Sequence, residues 1–266
     1  MDLELAGRRA VITGGNRGIG REIALALTGE GVDVMLAARD GARLEATARE
    51  LGDSSGRRVF AQACDTGDTE SVQQLASAAQ EQLGGVDILV NAAARTSFRR
   101  TPPGLLDLTD EDFWDDVNVK VLGYLRCARA IAPGMIRQGW GRIINVSGLN
   151  ARTTGNLVGS VRNISVSALT KNLADELGRF GINVTAVHPG FTLTDTSRAV
   201  ISERAAQQGV SAEEIGRQMF TPNAIGRAVE AAEVATLVTF LASPKSSAIT
   251  GDSIACGGGQ LGPIHY

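Results

Sequence analysis

Short apolar runs and longer two-faced segments alternate along this chain with little exception. Strand-like runs of β-branched and small apolar residues fall at 9–13, 33–38, 59–63, 88–91, 142–147, 183–188 and 253–256. Segments with the 3.6-residue period of an amphipathic helix lie between them, at 18–29, 40–51, 68–83, 110–138, 157–180 and 226–243. In the last of these, Ala228-Val229, Val234-Ala235 and Leu237-Val238 return to one face. The pattern therefore predicts an α/β fold: one doubly wound parallel sheet of about seven strands with right-handed helical crossovers on both faces. The stretch 192–225 breaks the rhythm, being long, polar and without a strand, and reads as a lid over a site.

At 266 residues the chain suits one such domain, spanning 1–266, with no internal repeat or linker. The formal charge is −3 and no cluster of basic residues stands out, which disfavours a nucleic-acid partner. Aromatic residues at 4% leave little for base stacking. Cys64, Cys127 and Cys256 form no CxxC, and the histidines are His188 and His265, so no metal site is expected. No apolar run is long enough to span a bilayer, and Met1-Asp2-Leu3-Glu4 opens no leader-like pattern. A cytoplasmic protein with reduced thiols, away from membranes, is the expectation.

The first chemical motif follows the first strand and opens the first helix: Thr13-Gly14-Gly15-Asn16-Arg17-Gly18-Ile19-Gly20. Glycines in such a turn let backbone amides and a helix N-terminus approach a pyrophosphate, so Gly14, Asn16, Arg17, Gly18, Ile19 and Gly20 are candidate cofactor contacts. The second strand ends Ala37-Ala38-Arg39, where an acidic residue would hold the 2′-hydroxyl of NAD. A guanidinium there, with Arg17 close by, suits a 2′-phosphate instead. NADP is the expected cofactor, with NADPH preferred over NADH.

Taken with the motifs further along, the chain resembles the short-chain dehydrogenase/reductase family over essentially its whole length, and with it the Rossmann fold. The resemblance implies that Asp65 and Thr66, after the third strand, meet the adenine. It implies that Asn91-Ala92-Ala93-Ala94 is the family's second cofactor loop, departing from it at Ala94. Asn118 matches a helix asparagine that holds a relay water, Ser147 a substrate-orienting serine, and Pro189-Gly190-Phe191-Thr192-Leu193-Thr194 the loop that closes on the nicotinamide. Thr250-Gly251 and Gly257-Gly258-Gly259 resemble the closing turn and strand. The family also implies a small-molecule substrate and a homo-oligomer, a tetramer or dimer built on the helices near 110–138 and 157–180, with the end leading to Tyr266 as a second interface.

One part of the pattern is missing. The family carries a tyrosine 12 to 13 residues after the serine and a lysine four residues later, whereas counting back from Thr170-Lys171 places Gly159 and Asn163 there. The tyrosines are Tyr124 and Tyr266, neither at that position. Without phenol and ammonium the proton transfer that accompanies hydride transfer loses its usual donor, which typically contributes about 10²–10⁴ in rate. Lys171 lies eight residues past Asn163, about 12 Å along a helix, too far to substitute. Tyr124 reads as a packing residue of the core or an interface. His188, at a strand end before Pro189, is the best replacement acid, the alternative being a structural histidine. Asn163 retains donors and an acceptor for a ribose, and the absent ring leaves room at Gly159 for a water or a substrate group.

Three readings stay open on the sequence. The first is an NADP-dependent oxidoreductase with a rearranged site, acting on a carbonyl/alcohol, quinone or imine. The second is a catalytically silent nucleotide-binding protein, and the third a non-redox lyase on the same pocket. Phe191, Met219 and Phe220 are expected to line its apolar part.

Overall fold

A computed structural model describes residues 1–95, 102–220 and 222–262. Seven parallel strands form the main sheet: β1 (Arg9–Thr13), β2 (Asp33–Ala38), β3 (Val59–Ala63), β4 (Ile88–Asn91), β5 (Gly141–Val146), β6 (Ile182–Pro189) and β9 (Ser253–Cys256). Their spatial order is β3-β2-β1-β4-β5-β6-β9. Every strand predicted from the pattern is present, with ends within a residue or so. The order reverses between β1 and β4, which opens a crevice above the carboxyl ends of those strands.

Alternating side chains of the strands feed two cores. Ile12, Val34, Leu36 and Val90 pack with Ile23 and Leu27 of α1 (Gly18–Gly29) and Val234 and Val238 of α9 (Ala231–Ala242). Val11, Met35, Leu89 and Ile143 face the other way, toward Leu75 of α3 (Thr69–Leu83), Met135 of α5 (Gly123–Gln138) and Leu177 of α6 (Leu157–Leu177). Burying each such side chain contributes roughly 1.5–3 kcal/mol, so the period-2 switch between faces fixes the register.

Helix ends follow local chemistry. Asp40 caps α2 (Gly41–Ser55) by accepting from Arg43 N, and Asp68 caps α3 by accepting from Ser71 N. The segment read as one helix at 110–138 is three pieces: α4 (Asp110–Val117), a π-turn at Asn118–Leu122, and α5.

The stretch 192–225 departs from the expectation of no strand. Thr192–Leu193 is β7, paired in parallel with β8 (Val229–Glu230), so the helix read from 226 begins only at Ala231. Two helices fill the rest, α7 (Asp195–Gln208) and α8 (Ala212–Met219). They carry their own small core of Ile201, Ala205 and Ile215, against which Phe191, Leu193 and Met219 pack. No described helix is long and apolar enough to cross a membrane. His265 and Tyr266 lie outside the described residues.

Candidate active site

A cleft of about 580 Å³ opens at the strand reversal, within the size range of small-molecule and cofactor pockets. One wall is the glycine turn. Gly14 has φ 71°, and a Cβ there would stand 2.8 Å from the Ala92 carbonyl oxygen. A Cβ on Gly20 would stand 2.2 Å from the Gly14 carbonyl oxygen, so backbone packs where side chains cannot. Thr13 Oγ1 accepts from the amides of Ala92 (3.1 Å) and Ala93 (3.2 Å), tying the two loops into one cradle. The α1 N-terminus opens onto this cradle, and Arg17 at its cap position supplies no side-chain cap, unlike Asp40 and Asp68 on the next two helices. Its first-turn amides remain available to an anion.

Gly14, Asn16, Arg17, Gly18, Ile19 and Gly20 all line the cleft. Arg39 lies beside it past the end of β2, together with Arg43, which the sequence reading missed although it stands four residues on at the start of α2. None of Arg17, Arg39 and Arg43 forms an ion pair with an acidic residue among the described residues. Asp65 and Thr66 form the next part of the wall. Asp65 accepts from Gly67 N at 2.9 Å, and the Thr66 hydroxyl donates to the Val119 carbonyl at 3.1 Å. Across the cleft, Pro189, Gly190, Thr192 and Thr194 line the opposite lip, and the Thr194 methyl lies 3.5 Å from where a Gly18 Cβ would be.

Ala92 and Ala93 line the cleft, whereas Asn91 does not. Its amide faces the sheet interior, donating to Asn145 Oδ1 at 2.9 Å across the β4–β5 register, and Asn145 donates onward to Thr170 on α6 at 3.0 Å. Asn91 is thus placed as a buried strut behind the cofactor loop.

At the inner end, Ser147 and Asn163 come together: Ser147 Oγ donates to the Asn163 carbonyl at 3.1 Å, and both line the cleft. Asn163 is 3% exposed and its Oδ1 has no partner. Three other residues expected here do not line the cleft. Asn118 turns its amide to the Gly67 carbonyl (3.2 Å) and accepts from Arg126 (2.8 Å). His188 sits behind the sheet end, sharing a hydrogen bond with Ser167 Oγ at 3.1 Å. Burial, followed by the positive charges of Arg152 and Lys120, lowers its pKa to about 4, so it is neutral at ordinary pH. Gly159 belongs to the first turn of α6, and the room expected beside it is filled. Asn156 caps the helix there, accepting from Gly159 N at 2.8 Å, and a Cβ on Gly159 would stand 2.7 Å from Asn156 Cγ.

The structure brings two unforeseen cations to the inner end instead. Lys120 lies within the π-turn, 4% exposed, donating to the Ser147 carbonyl at 2.9 Å. Arg162, 6% exposed, pairs with Asp116 at 2.6 Å and leaves its Nε without a partner. Both line the cleft. A lone charge inside Val119-Lys120-Val121-Leu122 was the available signal, but a uniform helical wheel does not show where a π-turn aims it. Tyr124 is a core residue, as one of its two readings had it: its hydroxyl donates to the Val146 carbonyl at 2.8 Å, and burial drives its pKa up. Lys171 is exposed and paired with Asp175. Phe191 and Phe220 line the cleft, while Met219 serves the small core of α7 and α8.

Comparison with known proteins identifies this architecture. A family model described as enoyl-(acyl carrier protein) reductase matches residues 14–260. The chain is 33% identical over 253 residues to the short-chain reductase protein NovJ of Streptomyces niveus, covering 94% of this chain and 93% of that protein. The chain belongs to the short-chain dehydrogenase/reductase family. Another family relative, the 3-oxoacyl-[acyl-carrier-protein] reductase FabG of Staphylococcus aureus, is 34% identical over 265 residues, covering 95% of this chain and 98% of FabG. Among solved structures, L-sorbose reductase from Gluconobacter frateurii, complexed with NADPH and L-sorbose, superposes with a TM-score of 0.93 at 29% identity, covering 99% of this chain and all of that one.

Proposed function

We propose that this member of the family is an NADPH-dependent reductase of a small carbonyl compound, working without the tyrosine and lysine that the family carries. One observation supports this reading above the others: Arg17, Arg39 and Arg43, without ion-pair partners among the described residues, line the cleft that also takes in the glycine cradle and the uncapped N-terminus of α1. Three cations lining the same cleft favour a 2′-phosphate over a ribose hydroxyl. The G. frateurii reductase, similar over nearly its whole length, is itself an NADPH complex. The residues present therefore fit NADP: the glycine turn and α1 amides for the pyrophosphate, Arg39 and its neighbours for the 2′-phosphate, Asp65 and Thr66 for the adenine, and Asn163 Oδ1 for a ribose hydroxyl. Bound there, the reduced nicotinamide supplies a hydride equivalent.

The chain's own residues define the rest. Ser147 presents its oxygen at the inner end, Phe191 and Phe220 add apolar surface, and Pro189 to Thr194 close the lip. Helices α7 and α8, with a core separate from the main ones, serve as a lid. The exposed residues Leu157, Val161 and Ile164 recur along one face of α6, with exposed Trp114 on α4, which supports a homo-oligomer formed through these helices. The chain's composition supports a cytoplasmic setting with reduced thiols.

The silent nucleotide-binding reading rests on one observation of its own, the Asn156 cap that fills the position where a reacting side chain on residue 159 would begin. Calorimetric titration with NADPH, followed by NADPH consumption with a panel of ketones, 3-oxoacyl thioesters, quinones and imines, separates the two. Binding with turnover of at least one class supports the reductase. Tight binding with no turnover supports the silent protein, and absence of binding removes both.

A further inference from the structure

Among the described residues, one side chain at the inner end of the cleft stands out as able to exchange a proton. His188 faces Ser167 behind the sheet, Tyr124 is tied to the Val146 carbonyl below it, and neither lines the cleft. Cys64 and Asp65 line it, but both are held within the loop after β3, the Cys64 thiol by the Ser71 carbonyl and the Asp65 carboxylate by Gly67 N at 2.9 Å. Arg162 is engaged with the Asp116 carboxylate. Lys120 remains, its ammonium 2.9 Å from the carbonyl of Ser147, the residue whose hydroxyl also meets Asn163.

The surroundings of Lys120 fit a working group better than a structural one. It is fully buried with one hydrogen bond for three donors, and a buried ammonium with unfilled donors is costly. Its charged neighbours are Asp116 on the preceding helix and Arg162 on α6, and His188 on β6 lies within electrostatic reach. Asp116 is already paired with Arg162, and Lys120 forms no ion pair of its own among the described residues. On residues lining the same cleft, the donor Arg162 Nε and the acceptor Asn163 Oδ1 are buried without partners among the described residues. Unused donors on Lys120 and Arg162 in one cleft suit a ligand on which negative charge develops.

We propose that Lys120 is the catalytic acid of this chain, donating its proton to the carbonyl oxygen of the substrate as the carbonyl carbon accepts a hydride equivalent from a dihydronicotinamide. The C=O π bond is replaced by one C–H and one O–H bond, the cofactor is oxidised by two electrons, and the amine left at Lys120 takes a proton from solvent. This rests on the reading of the chain as a reductase. Burial, and after it the neighbouring Arg162, depress the acidity constant of Lys120 well below the usual lysine range, with Asp116 opposing, so its ammonium gives up a proton more readily than a surface lysine. In the π-turn, Lys120 takes the inward place expected of Asn118 while Asn118 binds Gly67.

Lys120, Lys171 and Lys245 are the only lysines in the chain, which makes a direct test practical. In protein labelled with ¹³C-lysine, the Cε resonances are followed against pH with and without NADPH. Native protein, Lys120→Met and Lys120→Arg are compared for NADPH affinity and for kcat and KM on the best carbonyl substrate. The expected result is one resonance titrating well below the other two and absent from Lys120→Met. NADPH affinity should change less than threefold, kcat should fall about 10²–10⁴-fold in Lys120→Met, and the alkaline limb of the native kcat/KM profile should follow the same titration. Lys120→Ala regaining rate with added ethylamine would support transfer by the amine itself. Were Lys120→Met as fast as native protein, or Lys120 to titrate with the surface lysines, Lys120 would not be the acid although the chain remained a reductase. If native protein consumed no NADPH with any carbonyl, the reductase reading would fall and this proposal with it.

Discussion

Replacing Arg39 with alanine isolates the cofactor argument. Arg39 is exposed at the rim of the cleft, so its contact with a 2′-phosphate lies at the low end of charge-assisted hydrogen bonds, about 1.5 kcal/mol, or roughly tenfold in affinity. Arg17 and Arg43 stay in place, so Arg39→Ala should weaken NADPH about tenfold and leave NADH unchanged. Arg39→Ala with Arg43→Ala should approach about a hundredfold if the two contributions are independent. Raising ionic strength from 0.1 to 1 M shortens the screening length from about 10 to 3 Å, which should shrink the NADPH advantage of native protein and have little effect on NADH. Calorimetric titration of both cofactors at two salt concentrations provides all of these numbers. Equal loss of NADPH and NADH affinity in Arg39→Ala would mean that the residue shapes the cleft without reading the 2′-phosphate, and no loss of either would place the phosphate elsewhere.

Other consequences concern stability. Gly159→Ala should destabilise the protein by about 1 kcal/mol in urea denaturation, because the new methyl displaces the Asn156 cap; an unchanged midpoint would show that the cap yields freely. His188, lowered to about 4 when folded, binds its proton more readily when unfolded, so its contribution is intact above about pH 6.5 and declines as pH falls toward 4, by up to about 1.4 kcal/mol per pH unit. His188→Asn should flatten the pH dependence of the melting temperature in that window, and an identical slope would contradict the assignment. Arg162→Met leaves the Asp116 carboxylate without its partner and should cost about 3 kcal/mol, with Arg162→Met/Asp116→Asn recovering part of it, read from chemical denaturation.

The sheet was legible because its strands are short runs rich in β-branched and small apolar residues, and Val11 and Ile12 on β1 show both faces satisfied. What escaped were features shorter or subtler than one period. Strands β7 and β8 have two residues each, too few for alternation to register. Helices α7 and α8 were hidden in a polar stretch because their apolar residues, Ile201, Ala205 and Ile215, pack on one another and not on the sheet. At the site, the cofactor half was written in glycines and in arginines at strand ends, so all its candidates but Asn91 line the cleft. The catalytic half depended on how one helix turns: the π-turn at 118–122 directs Lys120 inward and Asn118 outward, and spacing alone does not encode that choice. Likewise nothing in the spacing shows that the Asn156 side chain covers Gly159.

We propose that this chain transfers hydride with Gly159 and Asn163 at the positions where counting along the sequence puts the family's tyrosine and lysine. It is tested most directly by incubating the native protein with NADPH deuterated at C4 of the nicotinamide and a panel of ketones and 3-oxoacyl thioesters, then analysing products by mass spectrometry. The account predicts an alcohol carrying deuterium on the former carbonyl carbon, formed from one of the two C4-labelled epimers of NADPH and not the other. NADPH bound tightly by calorimetry, with no labelled alcohol from any member of the panel, would contradict it.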